Sequence, residues 1–502
     1  MPAHLTSLSL GLLTRVESDG LHVYNNRLNV LDFGNVCQIT GDVQAFNNQI
    51  TSINFGALSS VGGHFVVYNN NLTTLSLGGL LTCGGSFSAY NNFLKEVHFE
   101  GLTSIGGDLL LENNFITQLD VGSLESVNGA MNLHNNNLAE FRFGSITSVN
   151  GHVELFNNFL TRVYFEDLEY VGGGLHMENN GMVVLEFDRI RSVGEDIKLQ
   201  NNELVAVSFG SLEFVEGDLL LVNNNLQNLY FSSISHIGGE VSLENNVLNS
   251  VNFNALTWIG GQLNLKNNAL TQLDFSQLTT IGGSLLLDNN ELTSIGNGIQ
   301  VIGGSLHCDN NDELPNVHIA SLNSIGGELH LKGNAALTFV LLQSLTTVGG
   351  HIFIRQNPQL TRVTLTSLSS VQGELNLQEN NLNAFTAPAT LHSVQGNLNL
   401  GANAALTLVD FGGITSVAGD VYLYDCAVSD LDFGSLGHIA GQLALQNNAL
   451  GGTLTFGSIT QIDGHIDVRG NFLNQVTCTG ITHGCVLADA FTTLKDCTEC
   501  PL

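Results

Sequence analysis

The sequence predicts a mainly β, parallel β-solenoid with almost no α-helix, and three observations carry that expectation. An Asn-Asn pair recurs from Asn25 to Asn289 at an unbroken spacing of 22 residues, and the spacing is mostly 23 residues from there to Asn471. Apolar residues alternate with polar ones in short runs such as Glu240-Val241-Ser242-Leu243-Glu244 and Gln272-Leu273-Asp274-Phe275, the period of strands with one buried face. Gly or Asn punctuates each unit at its junction with the next. A fixed period in the low twenties is the mark of a solenoid in which each unit packs on its neighbours, and 21 coils can be counted.

The unit is conveniently numbered from the glycine that opens Gly107-Asp108-Leu109-Leu110-Leu111-Glu112-Asn113-Asn114. Apolar residues then fall at positions 3, 5, 10, 13, 15, 18 and 21. Positions 3 to 5 predict a strand, and positions 13 to 15 a second extended segment. The step from 15 to 18 to 21 is too short for an ordinary helix and predicts a bend back toward the next glycine. Position 8 is Asn in 20 of the 21 coils and Cys426 in the other. A side chain buried under a turn must satisfy backbone groups that no strand partner reaches, and an amide offers both donors and an acceptor. Asn26, Asn48, Asn70, Asn92, Asn114, Asn136, Asn158, Asn180, Asn202 and Asn224 are therefore expected to form a structural ladder that continues through the later coils. The Cys426 thiol would be the small, weakly donating substitute.

Leu-x-Leu-x-x-(Asn/Cys)-x-Leu with Phe at position 15 resembles the leucine-rich repeat, with its asparagine ladder and phenylalanine spine. The turns Gly333-Asn334-Ala335-Ala336-Leu337-Thr338 and Gln356-Asn357-Pro358-Gln359-Leu360-Thr361 are similar to those of receptor L-domains. The resemblance covers about residues 5–475 and implies a recognition or adhesion role. The residues that carry it are all core and turn positions, so it specifies the fold far better than a ligand.

A chain of 502 residues would ordinarily suggest several domains, but an array grows by adding units. The expected organisation is a partial first coil over residues 1–18, a solenoid over 19–475 and a Cys-rich cap over 476–502. Met1-Pro2-Ala3-His4-Leu5 has neither a basic nor an apolar leader pattern, and Leu5-Thr6-Ser7-Leu8 already reads as the second half of a coil. The expectation is an N-terminus truncated relative to the natural protein. Cys478, Cys485, Cys497 and Cys500 predict two disulfides with three connectivities open, and hence an extracellular or cell-surface location. The rival reading is zinc, for which a second Cys-x-x-Cys or His pair at metal spacing is missing. Cys83 and Cys308 fall at inward positions as core thiols, and Cys37 at an outward one.

The formal net charge is −31, with only 14 Lys and Arg, which argues against nucleic acid or an anionic membrane as partner. No apolar run is long enough to span a membrane. Asp42, Asp108, Asp218, Glu240, Glu328 and Asp420 read as a solvated acidic surface. No cofactor motif, nucleophile–base constellation or resident metal site is expected, and the Gly-Gly pairs precede no helix that could hold phosphate. His307, His330 and His351 on successive coils form a conceivable transition-metal cluster, though 16 histidines make such neighbours common. Trp258 reads as an isolated surface aromatic, and Asn71-Leu72-Thr73 as one glycosylation acceptor beside the ladder turn.

The distinctive outward residues are Tyr24, Phe46, Tyr68 and Tyr90 at position 6 of the first four coils, with Phe156 three coils further on. Aromatics in register on parallel strands form a stripe suited to a sugar ring or the apolar ridge of a protein partner. The same stripe also reads as a stacking ladder that stabilises that end of the array. The functional expectation is a non-enzymatic recognition or adhesion module for protein or carbohydrate, the alternative being a structural wall or matrix solenoid with no discrete ligand.

Overall fold

The computed structural model describes residues 4–187 and 189–500; Met1, Pro2 and Ala3 lie outside the described residues. It divides into two compact units, Met1–Val247 and Leu248–Leu502. Both are parallel β-solenoids, and among the described residues no helix is long and apolar enough to cross a membrane.

In the first unit every coil contributes a short strand at positions 3 and 4, such as Leu109–Leu110 and Met131–Asn132. These strands stack parallel without slippage, Leu109 on Met131 and Met131 on Val153. We call this ladder sheet I. A second set of strands at positions 12 to 14 pairs in small groups, as in Thr74–Ser76, Glu96–His98 and Gln118–Asp120, and forms sheet II. The stretch expected to be a bend back forms a third ladder instead. Ser104–Ile105 pairs with Ser126–Val127, and that with Ser148–Val149, as sheet III. Two residues per strand are too few to give a readable alternation, which is why these strands are hidden in the sequence. The second unit repeats the plan: Leu263–Asn264 to Val486–Leu487 in sheet I, Trp258–Ile259 to Thr482–His483 in sheet III, and grouped strands such as Asn316–His318, Phe339–Leu341 and Arg362–Thr364 in sheet II.

The interior is filled by the periodic apolar positions, nearly all with no exposed surface. At position 15, Phe143, Phe165, Phe187, Phe209 and Phe231 stack at centroid distances of 5.3 to 5.8 Å in the first unit. In the second unit the spine is Phe253 and Phe275, then aliphatic through Ile319, Leu342 and Leu365 to Ala387, and aromatic again at Phe411, Phe433 and Phe456.

The polar side chains that hold the coils divide into three columns. At position 8, Asn136 donates from Nδ2 to the carbonyls of Leu111 (3.1 Å) and Leu133 (3.0 Å) and accepts from the Ile116 N–H through Oδ1 (3.1 Å). One amide thus satisfies backbone groups in two coils. Asn26, Asn48, Asn70, Asn92, Asn114, Asn158, Asn180, Asn202 and Asn224 bond the backbone in the same way. Amide-to-amide bonds run one residue earlier, at position 7. There Asn47 donates to Asn25 (2.8 Å), Asn69 to Asn47 (2.8 Å) and Asn157 to Asn135 (3.0 Å). Position 7 is left-handed throughout, with φ of 51–59° at Asn25, Asn91 and Asn447 and 69° at Gly333, so Asn and Gly are favoured there by conformation as well as by bonding.

The third column is position 2, where the acidic residues read as a solvated surface do structural work. Asp42 accepts the His64 N–H (2.8 Å), Asp108 the Ala130 N–H (2.8 Å) and Asp420 the Gln442 N–H (2.7 Å). Ser86 and Ser305 serve the same way through Oγ, and His64, His152 and His351 through Nδ1. The shared requirement is an acceptor that reaches the next coil, not a charge.

In the coils of Asn311, Asn334, Asn357 and Asn403 an extra residue follows the position-8 asparagine, and the acceptor is reassigned. The backbone N–H groups of Asn311, Asn334 and Asn357 donate to the next asparagine's Oδ1 at 2.8 to 2.9 Å. Cys426 succeeds in such a setting: its sulfur takes the Asn403 N–H (3.4 Å) and donates to the Tyr424 carbonyl (3.3 Å).

Of the segment 476–502, expected as a cap, the described residues to 500 continue all three sheets by one more shortened coil, with Ile466 on Val486, Val476 on Leu494 and Ile462 on His483. Disulfides join Cys478 to Cys497 and Cys485 to Cys500, with Cα separations of 5.1 and 4.7 Å. Cys83 and Cys308 are buried free thiols, the former with its pKa pushed up to about 11 by burial. Cys37 is exposed and its thiol donates to the Thr14 carbonyl.

Asn136→Ala strands two carbonyls and one N–H and is expected to cost about 2–4 kcal/mol. Asn135→Gly keeps the left-handed backbone, loses two exposed side-chain bonds, to Asn113 and from Asn157, and should cost about 1 kcal/mol. Urea denaturation of the two variants beside wild type checks the order, and equal midpoints would contradict it. Peptide mapping of the non-reduced protein is expected to recover Cys478 linked to Cys497 and Cys485 linked to Cys500; any other pairing would refute the arrangement of the last coil.

Candidate functional site

The outward side chains of sheet I come from positions 2, 4 and 6 of each coil, because positions 3 and 5 point to the core. In the first unit the position-6 column opens with Tyr24, Phe46, Tyr68 and Tyr90. The rings stack face on face, with centroids 4.8, 4.8 and 4.4 Å apart and planes within 13° of parallel. That spacing is the interstrand repeat itself. Tyr24 is 42% exposed, whereas Phe46, Tyr68 and Tyr90 are half-buried. Since the two inner rings, Phe46 and Tyr68, have a neighbour on both faces, they present edges to solvent, and the outer faces of the stack belong to its end rings, Tyr24 and Tyr90. Burial, followed by the charges of neighbouring Tyr68 and Glu112, raises the Tyr90 phenol pKa.

Phe156 does not extend this stripe. Glu112 and His134 occupy the column between Tyr90 and Phe156, and Phe156 stacks on His134 at 4.4 Å. The intervening region is a compact set of ionisable groups. His134 Nδ1 lies 3.2 Å from Glu154 Oε2, and this bond is the largest cause of the lowered Glu154 pKa. Glu112 and Glu178 are raised, chiefly by burial. His176 is lowered by burial and then by Lys198. Two carboxyls on one patch are thus shifted in opposite directions by their surroundings.

A second aromatic row is exposed just around the ladder turn. Phe93, Phe115 and Phe159 at position 9 are 50%, 48% and 66% exposed, and Phe93 stacks on Phe115 at 6.2 Å. Their spacing of one period from the same Asn pair makes the row readable in the sequence, but attention to positions 4 and 6 passes over it. Asn71, the glycosylation candidate, occupies the same exposed position 9 two coils before Phe115. Trp258 is 40% exposed in a sheet III strand and belongs to neither row.

In the second unit sheet I carries Asp288, His307, Glu328, His330 and His351 close together, with His307 and His330 stacked at 4.4 Å. A surface depression of about 490 Å³ is elsewhere in that unit. It lies against Arg362, Thr364, Thr386 and Ala387, where the aromatic spine has given way to small residues.

Burial holds the Glu112 carboxyl above its ordinary pKa, so the folded chain binds that proton more tightly than the unfolded chain. Its contribution therefore favours folding in acid and turns unfavourable as pH rises from the unfolded toward the folded value. Glu112→Gln is expected to raise the thermal midpoint at neutral pH and leave it nearly unchanged in acid. Melting curves at both pH values check this, and a lower midpoint at neutral pH would contradict it.

No protein-family model matches the chain, and no curated protein matches it. Among solved structures it is similar to YopM from Yersinia enterocolitica, at 18% identity over 83% of this chain and 91% of that one, with a TM-score of 0.32. It is also similar to the Toll–Spatzle complex of Drosophila, at 14% identity over 88% and 72% with a TM-score of 0.35. The functional domain of InlJ from Listeria monocytogenes follows at 14% identity over 84% and 71%, with a TM-score of 0.29. At such scores these likenesses carry no argument about ligand or activity, and the case for the fold rests on this chain's own ladders. With its in-register parallel strands, its position-8 asparagines and its phenylalanine column, the chain is a parallel β-solenoid of the leucine-rich-repeat type.

Proposed function

We propose that the protein is a non-enzymatic recognition module that binds a protein partner on sheet I of its first unit, with Tyr24, Phe46, Tyr68 and Tyr90 as the apolar anchor. The observation that carries this reading is the edge-on stack. A sugar ring recognised by aromatic stacking needs an open ring face, and the two inner rings, Phe46 and Tyr68, have none to offer. Ring edges and phenol hydroxyls suit the mixed apolar and polar surface of a protein. Glu112, His134 and Glu154 beside the stack supply the charged rim, and Phe93, Phe115 and Phe159 a second apolar contact around the turn. The two disulfides in the last coil support an extracellular or cell-surface setting. The same stack also favours the structural reading, in which the rings only reinforce the array, so the experiment must separate the two.

The test is a binding screen of the oxidised protein against extracellular protein ectodomains and a glycan array, run in parallel with Tyr68→Ser/Tyr90→Ser. A protein ligand whose affinity falls at least tenfold in the variant, with the thermal midpoint of each protein recorded, is the expected outcome. Binding unaffected by the variant would remove the stripe from the site. A hit confined to glycans would overturn the protein reading, and no hit with either protein would leave the structural reading standing.

A further inference from the structure

The second unit carries a cluster that the proposed recognition face does not use. His307 and His330 hold position 4 on neighbouring coils, and the register of sheet I places one directly on the other. Their rings stack with centroids 4.4 Å apart and planes 16° from parallel. Glu328 stands two residues before His330 on the same face of the strand, and its Oε2 lies 2.8 Å from His330 Nε2. One ligand atom from each of these three half-buried side chains falls within 4.8 Å of the other two. Parallel stacking alone brings His307 over His330; the alternation of the strand brings in Glu328.

We propose that His307, Glu328 and His330 bind one divalent transition-metal ion, Zn²⁺, with its fourth position open on the exposed strand face. Two imidazole nitrogens and a carboxylate oxygen are a donor set that zinc takes with three protein ligands and one free position. The ligand atoms need to draw in to about 2.0–2.2 Å from the ion, a small rotation for half-exposed side chains. His330 binds through Nε2 once the proton on that nitrogen has moved to Nδ1, so the ring stays neutral. Asp288 and Asp309 on the preceding coils add negative potential, with the Lys266 ammonium 2.8 Å from Asp288 offsetting part of it.

The third histidine of the cluster has a different part. His351 accepts the Glu374 N–H through Nδ1 (2.9 Å), which leaves its proton on Nε2, and Nε2 faces Glu328 Oε1 at 3.9 Å. That nitrogen carries the proton and stands beyond hydrogen-bond distance of the carboxylate, so His351 does not ligate. Phe353 stands edge-on to His330 at 4.9 Å and walls one side.

Isothermal titration of the full, oxidised chain with zinc chloride, after chelator treatment, tests the site. The expected result is one Zn²⁺ per chain, with affinity reduced at least tenfold by Glu328→Gln and by His330→Gln. His351→Gln should keep the one-to-one stoichiometry, and His438→Gln, on a separate exposed pair with Asp463, should match wild type. Wild-type affinity in both Glu328→Gln and His330→Gln, or no stoichiometric binding by wild type, overturns the proposal. Cobalt supplies a readout that needs no variant: the wild-type complex should give the intense visible bands of a four-coordinate ion, and the weak spectrum of the hydrated ion would refute the site.

Discussion

Stacking identical coils in parallel without slippage is the constraint from which the rest of this structure follows. Every residue sits on its counterpart one period away, so any defect in satisfying a backbone group is repeated along each unit. A turn that leaves one carbonyl unpaired leaves one unpaired in every coil, and its cost multiplies. Three columns of polar side chains remove that cost: acceptors at position 2, left-handed asparagines at position 7 and buried asparagines at position 8. The apolar columns fill the interior, but without the polar ones the turns would not close.

The same constraint explains which residues vary. Position 8 must donate to two carbonyls and accept from an N–H while almost fully buried, and only Asn does all of this at that size. The exception, Cys426, follows a turn with an extra residue, where the bond its sulfur accepts is the single N–H of Asn403. Position 2 takes any side-chain acceptor, so Asp, Ser, Asn and His all serve there, and Ala130 and Gly174 show that a coil can do without one. Position 7 needs a left-handed backbone first and a side-chain partner second, so Gly333, Gln356, Glu379, Ala402, Asp425 and Gly470 stand where the other coils have Asn.

How much was legible follows the same logic. Period, core and the position-8 column are visible because they repeat with one residue type. Sheet III is invisible because its strands, such as Ser126–Val127, are too short for an alternation to register. The position-2 column is invisible because its common property is an acceptor lone pair, spread over side chains as different as Asp108, Ser86 and His152. For the candidate site, the aromatic column was readable from spacing alone, as were Glu112 and His134 ahead of Phe156, but the sequence could not show that stacking turns the ring faces onto one another. The pairing of Glu328 with His330, by contrast, needs only the two-residue period of a strand, and the stretch Glu328-Leu329-His330 displays it.

Chemistry in such an array is cheap to assemble and hard to focus. Three outward positions per coil, repeated at about 4.8 Å, bring any two side chains into contact if they share a column or lie two residues apart on one strand. This is how two carboxyls, Glu112 and Glu154, come to be pushed in opposite directions, and how His307 meets His330. What the array does not give is enclosure: its outward side chains stand on a sheet face, and the depression of about 490 Å³ lies against the Leu365 and Ala387 stretch of the spine, away from these groups. Sites on this scaffold are therefore open to solvent on one side. That openness suits contact with a partner's surface, and a metal held by three side chains would present its free position on the same exposed face.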